Sequence, residues 1–429
     1  MKKTILIAAT LAVVGCTTAM AAVVDSIFTP TAVVVSNENE EVKNNSYEVM
    51  KAMYEANGLH FQDPRAPRFL FLDRKGRVAL GIGGYVKGTM SVDMDGVSNS
   101  PDFVTYNIPT PEQPDMRSQF QMDASTSRIF FKLVGRNTAI GDFSVYIEGD
   151  FRGTAAGYYG MRLRKAYIQL WRLRIGRAWS TFTDVAAIPP TIDFQGPSGV
   201  TISMNTMLQY VQPLGNHWSM AMAVEAATAT YTTDRQYNSY INQRIPDVPS
   251  YVQYEWNEGS SHIRLSNLFR ALSYRNLVAD KNKFVIGWAT QLSGVIKASS
   301  HITFYFQGSY GRGYTTYLND LGGNGFDLIP GEHNGSMIAP YAMGVVGGIQ
   351  YTIIPRLFVS AAYSQCRLFN KPSLAATAYR NGQYVVANAF YSPFNNCQIG
   401  LEYLYGNRRN YNDVAGDAHR INAMIQYNF

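Results

Sequence analysis

The sequence predicts an all-β fold: a transmembrane antiparallel up-and-down β-barrel of about 16 strands, with an inward-folded third loop. Three observations lead there. From Arg77 to Phe429, apolar and polar residues alternate with the period of a strand. The connections alternate between short turns and long loops. Charged residues make up only 16% of the 429-residue chain, below the roughly 25% of soluble domains, while Tyr reaches 29. After the N-terminus no apolar run is long enough to cross a bilayer as a helix. Apolar faces diluted by alternation are the pattern of outer-membrane barrels.

Residues 1–21 read as a cleavable secretory signal. Lys2 and Lys3 form the charged start, Thr4 to Val14 the apolar stretch, and Ala19-Met20-Ala21 the small-x-small site before Ala22. A lipoprotein reading through Val13-Val14-Gly15-Cys16 competes, but Val stands where Leu is preferred. Removing Lys2 and Lys3 from 37 Lys+Arg leaves 35 against 31 Asp+Glu, a mild excess that does not suggest a nucleic-acid partner. Cys366 and Cys397 then remain, near opposite ends of non-neighbouring strands, and read as two small half-buried residues rather than a disulfide.

Residues 22–76 read as a periplasmic N-terminal segment with a short helix. In SNENEEVKNNSYEVMKAMYEANG, Val42, Val49, Met53 and Ala56 recur at near-heptad spacing. Ser46 is placed to cap the second half and Gly58 to end it. A coiled-coil tether, a plug and a flexible arm are all compatible with so short a seam.

Residues 77–429 form the barrel. RVALGIGGYVKGTMSVDMD sets Val78, Leu80, Ile82, Val86, Met90, Val92 and Met94 on one face, with Ala79, Tyr85, Lys87, Thr89, Ser91 and Asp93 on the other. GDFSVYIEGDFR and HRINAMIQYNF repeat the plan. Strands are expected near 77–95, 119–135, 141–153, 158–170, 173–182, 202–213, 217–231 and 249–257. The second half gives 260–275, 282–296, 299–313, 341–354, 356–369, 383–392, 395–408 and 417–429. Short links such as RNTAI, LGN, NEG and SPFN alternate with longer ones over 96–118, 183–201, 232–248 and 314–340; only the link near 154–157 breaks the rhythm. An even strand count leaves both barrel termini on the short-turn, periplasmic side. The chain ends on Phe429 at the close of an alternating strand, where the outer-membrane assembly machinery is expected to read it.

If the apolar faces meet lipid, the polar faces line an aqueous lumen. Arg162, Arg164, Arg174, Arg177, Arg264 and Arg270 are candidate lining residues, with Glu148 and Asp150 on the preceding strand. Arg128, Lys132, Arg152, Arg172, Arg367, Arg408 and Arg420 add to the cationic set. Guanidinium groups suit carboxylate or phosphate, and a row of them favours anions over cations. Acidic partners would instead make the same arginines structural. The alternation slips around Lys165–Tyr167, leaving the inward set open there.

The stretch GRAWSTFTDVAAIPPTIDFQGPSG follows the fifth strand. Pro189 and Pro190 stiffen it and Gly196-Pro197-Ser198-Gly199 permits a tight return. Its apolar residues, among them Phe194, argue for burial, so it is expected to fold inward as a constriction loop. Asp184 and Asp193 are expected to face the arginines.

LRKAYIQL followed by this stretch resembles the DcaP-like, dicarboxylate-type porins of Gram-negative outer membranes. Leu163-Arg164, Ala166-Tyr167, Gly176, Trp179-Ser180-Thr181-Phe182, Asp184, Pro190, Asp193-Phe194 and Gly196-Pro197 carry the resemblance, with SRIFFKLVG and FSVYIEGDF beside them. It covers about 70 residues closely and the rest by architecture. Arg177 stands where the pattern has a neutral polar residue. The resemblance implies a homotrimer of 16-stranded barrels in outer-membrane lipid, an N-terminal segment able to form a coiled coil, and passive uptake of small anions such as dicarboxylates.

Two other classes bear weighing. A barrel enzyme of the lipase or protease type needs a nucleophile beside a base; only His262, with Ser261 and Ser266, invites a check. A general, non-selective or sugar porin needs no cationic row. No metal-ligand cluster, Walker loop or cofactor motif occurs, so no cofactor is expected.

Overall fold

The structure, a computed structural model, describes residues 40–54, 59–64, 66–96, 101–113, 115, 117–153, 159–369 and 374–429. The signal segment, Ala56, Gly58 and the link at 154–157 lie outside them. Among the described residues no helix is long and apolar enough to cross a membrane.

Alternation closes the chain into one antiparallel sheet. Its first half comprises β1 (Phe69–Leu72), β2 (Val78–Asp95), β3 (Gln119–Asp123), β4 (Arg128–Gly135), β5 (Phe143–Asp150), β6 (Arg162–Leu170), β7 (Leu173–Trp179), β8 (Met204–Leu214), β9 (Trp218–Glu225), β10 (Asn238–Tyr240) and β11 (Val248–Trp256). Its second half comprises β12 (Ser261–Asn276), β13 (Lys281–Lys297), β14 (Ile302–Arg312), β17 (Tyr341–Ile354), β18 (Leu357–Leu368), β19 (Tyr379–Phe394), β20 (Cys397–Asn410) and β21 (Ala415–Asn428). A small separate hairpin pairs β15 (Ile329–Pro330) with β16 (Met337–Ile338). The sheet counts 19 segments, but β3 and β4 are halves of one strand, β10 extends the wall beside β12, and β1 pairs with β2 below the end of β21. The wall is therefore a closed barrel of 16 strands, with β2 bonded to β21 on one side and to β3 and β4 on the other.

The period-two pattern decides which side chains meet lipid. Val86, Met90, Val92 and Met94 of β2 are exposed outward, while Lys87, Ser91 and Asp93 are buried inward. Trp171, Trp218, Tyr254, Tyr351, Tyr391, Phe394 and Tyr427 stand exposed beside the short turns, as an aromatic girdle would. The wall is low over β4 to β7, at 7 to 9 residues per strand, and tall at β12 and β13, at 16 and 17. Cys366 is buried and Cys397 half-buried, and both are free.

The interior is not an open tube lined only by wall residues. The loops over 101–113, 180–203 and 313–340 fold inward and supply Phe103, Ile108, Phe182, Ile188, Ile192, Tyr314, Tyr317 and Leu318 to buried clusters. The helix α1 (Glu40–Tyr54) packs Val49, Ala52 and Met53 against Ala79 and Val134, both inward-facing. Lys132 donates to the carbonyls of Ala52 and Met53 at 2.9 and 3.0 Å, where a cation suits the C-terminal end of a helix. Ser46 lies inside this helix, its hydroxyl bonded to the Val42 carbonyl one turn back, so it is not a cap. Beyond α1, residues 59–64 lie within the barrel beside the constriction loop.

Candidate functional site

The cationic wall is made by a β-bulge. β5 and β6 pair Asp150 with Arg162 and Gly149 with Leu163, then the register shifts so that Glu148 pairs with Lys165. Arg164 is the extra residue, and the shift turns both Arg164 and Lys165 inward where strict alternation would separate them. This resolves the slip in the sequence pattern.

Around this bulge, cations and acids interleave. Arg162 reaches Asp150 at 2.5 Å. Arg164 reaches Glu148 at 2.9 Å and Asp150 at 3.1 Å. Arg128 reaches Glu148 at 3.3 Å, and Arg152 meets Asp102 of the first long loop at 2.5 Å. Four guanidinium groups ring Phe194 on the constriction loop: Arg152 at 4.5 Å from its centroid, Arg164 at 5.2 Å, Arg128 at 5.7 Å and Arg162 at 6.0 Å. Arg162 keeps 40% of its side chain exposed, against 6% for Arg164. A planar ring among guanidinium groups is favourable by roughly 0.5 to 2 kcal/mol per contact, so Phe194 is held in a cationic collar.

Below the collar runs a ladder of rings. Phe130 stacks on Tyr146 at 5.6 Å and Tyr146 on Tyr167 at 5.5 Å, with Arg174 over Tyr167 at 4.8 Å. Tyr167 lies directly across from Gly176, where an added Cβ would stand 2.2 Å from the Ala166 carbonyl oxygen. The positive φ of 130° at Gly176 is a second reason that only glycine serves there.

The constriction loop crosses the lumen and is tied at each step. Ser180 and the Thr181 amide bond Glu225 at 2.8 Å each. Asp184 accepts from His262 Nε2 at 2.8 Å and Ser293 at 2.7 Å, with Arg264 at 3.8 Å. Pro189 packs on Gly348, and the Pro190 carbonyl accepts from Asn388 at 2.8 Å. The Ile192 and Asp193 amides donate to Glu402 at 2.7 and 2.9 Å. Asp193 accepts from the Phe103 and Gly196 amides and from Tyr384 at 3.0 to 3.1 Å. Burial pushes the Asp184 carboxyl up, but Arg264 and His262 outweigh it and hold it below the usual carboxylate range. Burial, reinforced by Glu402 and Asp102, pushes Asp193 up to about 7.

The expected opposition of Asp184 and Asp193 to the arginines holds only in part: Asp184 faces Arg264, at 3.8 Å, but away from the collar, while Asp193 is bound by the Phe103 and Gly196 amides and Tyr384. Phe194 is the loop residue that meets the collar. Arg177 is corrected too. It pairs with Ala166 and with Thr206, which is exposed on the outer face, and its Nε donates to the Arg164 carbonyl at 3.2 Å. Because Gly176 takes the inward position opposite Tyr167, the next residue must point out. Arg367 likewise falls on the outer face of β18, between the buried Cys366 and Leu368.

Arg172 stands at the turn after Trp171, bonded to Gln212. Arg174 faces in and donates to Gln169 at 3.1 Å. Arg264 faces in over Tyr251, at 4.2 Å, away from the collar. Arg270 is fully buried and spent on Asp247 at 3.1 Å, Asp327 at 3.2 Å and the Gly313 carbonyl at 2.8 Å. His262, the residue an enzyme would need, is engaged by Asp184.

Four participants were not among the expected site residues. Lys165 was hidden by the bulge. Trp179 carries no signal in alternation alone, whereas Lys87, whose Nζ donates to the Ile192 carbonyl at 3.0 Å, stands on the polar face of the alternation without being marked as a site residue. Asp63 belongs to the N-terminal segment, far from the arginines in sequence.

A sixteen-stranded barrel whose third loop crosses a charged lumen has the architecture of an outer-membrane channel. The chain belongs to the porin subfamily, whose profile matches residues 78–426, and is placed in the Gram-negative outer membrane. Among solved structures it is similar to the outer-membrane channel DcaP of Acinetobacter baumannii, at 21% identity over 84% of this chain and 99% of that one, with a TM-score of 0.72. It also resembles an anion-selective porin from Comamonas acidovorans, at 9% identity over 82% of this chain and 100% of that one, TM-score 0.54. OmpT of Vibrio cholerae aligns at 11% identity over 84% of this chain and 100% of that one, TM-score 0.51. No curated protein matches the chain.

Proposed function

We propose that the protein is a passive-diffusion porin that favours small anions, dicarboxylates among them. The observation that carries this is the collar of Arg128, Arg152, Arg162 and Arg164 around Phe194 at the crossing of the constriction loop. The loop is fixed by buried bonds and the arginines by acids, so the charge pattern is held in place before any solute arrives. Solutes with two carboxylates separated by a short apolar link match guanidinium groups flanking a ring. The likeness to DcaP and to an anion-selective porin supports the same class.

A general porin is the second reading. Arg152, Arg162 and Arg164 each have an acidic partner, which lowers the net field they project. The likeness to trimeric porins supports a homotrimer, as in the trimer form described for OmpT of Vibrio cholerae. Phe429 completes the wall by exchanging backbone bonds with Gly84 at 2.9 and 3.0 Å, and is proposed as the residue read by the barrel assembly machinery.

Single-channel recording in a planar bilayer tests the function. Current steps in groups of three, each blocked by millimolar succinate, are expected. Independent single steps would contradict the trimer, and indifference to succinate the substrate class.

A further inference from the structure

The lumen contains a finished carboxylate site whose occupant is the chain itself. Arg128 on β4, Lys165 on β6 and Trp179 on β7 converge on the two oxygens of Asp63. Arg128 Nη1 lies 3.0 Å from Oδ1; Lys165 Nζ lies 2.9 Å and Trp179 Nε1 3.2 Å from Oδ2. Arg128, Lys165 and Asp63 are almost wholly buried, at 1%, 6% and 2% side-chain exposure. Two cations and a neutral N–H donor around one carboxylate are a complete recognition set.

Asp63 is not part of the wall. It lies on a short irregular stretch that touches the constriction loop through Gln62, whose amide donates to the Thr191 and Asp193 carbonyls at 3.2 and 2.9 Å. Tyr85 donates to the Gln62 carbonyl at 3.1 Å. His60 packs against Trp179 at 6.3 Å between ring centroids. Phe61 packs on Phe390 and Phe358, at 4.9 and 5.9 Å between ring centroids, so the stretch is held by one aromatic anchor and a few polar bonds, and is easier to displace than a strand with a full ladder.

The charges show what displacement would leave. Without Asp63, Arg128 and Lys165 would have Glu148 at 3.3 and 3.4 Å, an acid already bonded by Arg164 at 2.9 Å. Three buried cations would then share one nearest acid, and the Nε of Arg128 already has no hydrogen-bond partner among the described residues. Unpaired buried charge is strongly unfavourable, so the vacated site demands an anion. The collar of Phe194 is continuous with it, since Arg128 and Arg164 belong to both.

We propose that Arg128, Lys165 and Trp179 form a binding site for the carboxylate of a permeating solute, and that Asp63 is a tethered carboxylate that fills this site at rest and competes for it. The proposal takes its solute class from the function proposed above.

The test measures block of the full-length trimer by succinate in planar bilayers. Asp63→Asn keeps the side-chain shape and removes the competing charge, and is expected to tighten half-block by about tenfold. Lys165→Gln added to Asp63→Asn is expected to abolish the gain. Gln62→Ala, which loosens the stretch without touching the site, is expected to tighten block in the same direction by less, and supplies a second reading should Asp63→Asn fail to give a heat-modifiable barrel. Unchanged block in Asp63→Asn or Gln62→Ala, or a gain that survives Lys165→Gln, would overturn the proposal. Cation selectivity of the wild type with the Asp63→Asn gain intact would count against the selectivity proposed above and leave the site standing.

Discussion

The Asp63 carboxylate lies 2.9 Å from the Lys165 ammonium, joining a stretch outside the barrel strands to the wall at the bulge in β6. That one contact couples the N-terminal segment, the cationic wall and, through Gln62, the constriction loop. Under the proposal above, it makes the segment a component of the permeation site.

Glu148 is the acid on which Arg128, Arg164 and Lys165 all depend. Glu148→Gln leaves the three buried cations only Asp63 and Asp150 as acidic partners, at a cost of roughly 3 to 5 kcal/mol. The temperature at which the folded band disappears on a detergent gel is expected to fall clearly. An unchanged transition would mean that the three cations are solvated rather than buried.

Gly199 marks where the loop presses on the far wall. A Cβ there would stand 2.3 Å from the Gln365 carbonyl oxygen and 2.6 Å from that of Val345. Neither backbone atom can yield cheaply, so Gly199→Ala is expected to lift the return of the loop, at roughly 1 to 3 kcal/mol. Larger and noisier single-channel conductance is the readout, and wild-type conductance would show that the loop is not packed there.

Asp184 tethers the start of the same loop through His262 and Ser293. Asp184→Ala removes the acid from a site where Arg264 also lies near. Conductance is expected to fluctuate between levels, and deletion of Val185 to Phe194 to raise it permanently. Steady wild-type current in both variants would place the loop outside the permeation path.

His60 gives the segment a pH dependence. Burial lowers its pKa from 6.5 to about 4, Asp63 opposing this while Arg128, Arg164 and Lys165 reinforce it. A base with a depressed pKa in the docked state adds stability that is complete above pH 6.5 and is lost as the pH falls toward 4. Burial raises the Asp63 carboxyl, but Lys165 and Arg128 more than cancel it and keep it ionised through that window. Hydrogen exchange at residues 60–63 is therefore expected to speed up between pH 6.5 and 4 in the wild type, and to change little in His60→Asn. Equal pH profiles in the two proteins would remove His60 from the account.

The barrel was legible because lipid and lumen impose opposite polarity on alternate residues, and β2 and β21 obey that rule along their length. The site was legible only in part. Arg162 and Arg164 face inward as alternation requires, and Glu148 and Asp150 pair with them. Lys165 escaped because a bulge shifts the phase, which the sequence shows only as a slip in the alternation; Arg177 follows the unbroken alternation of β7 and falls on the face opposite Arg174 and Gly176, so it and Arg174 cannot both line the lumen. Asp63 escaped for another reason. Its role comes from a tertiary contact between a segment of no fixed periodicity and a wall defined much later in the chain.

The reversal potential in a potassium chloride gradient, measured for the wild type and for Arg152→Gln with Arg162→Gln, tests the central claim most directly. Both arginines border Phe194, and Arg162 is 40% exposed. The wild type is expected to pass chloride in preference to potassium, and the double variant to lose that preference or reverse it. A cation-selective wild type, with a reversal potential unmoved by the two substitutions, would contradict it.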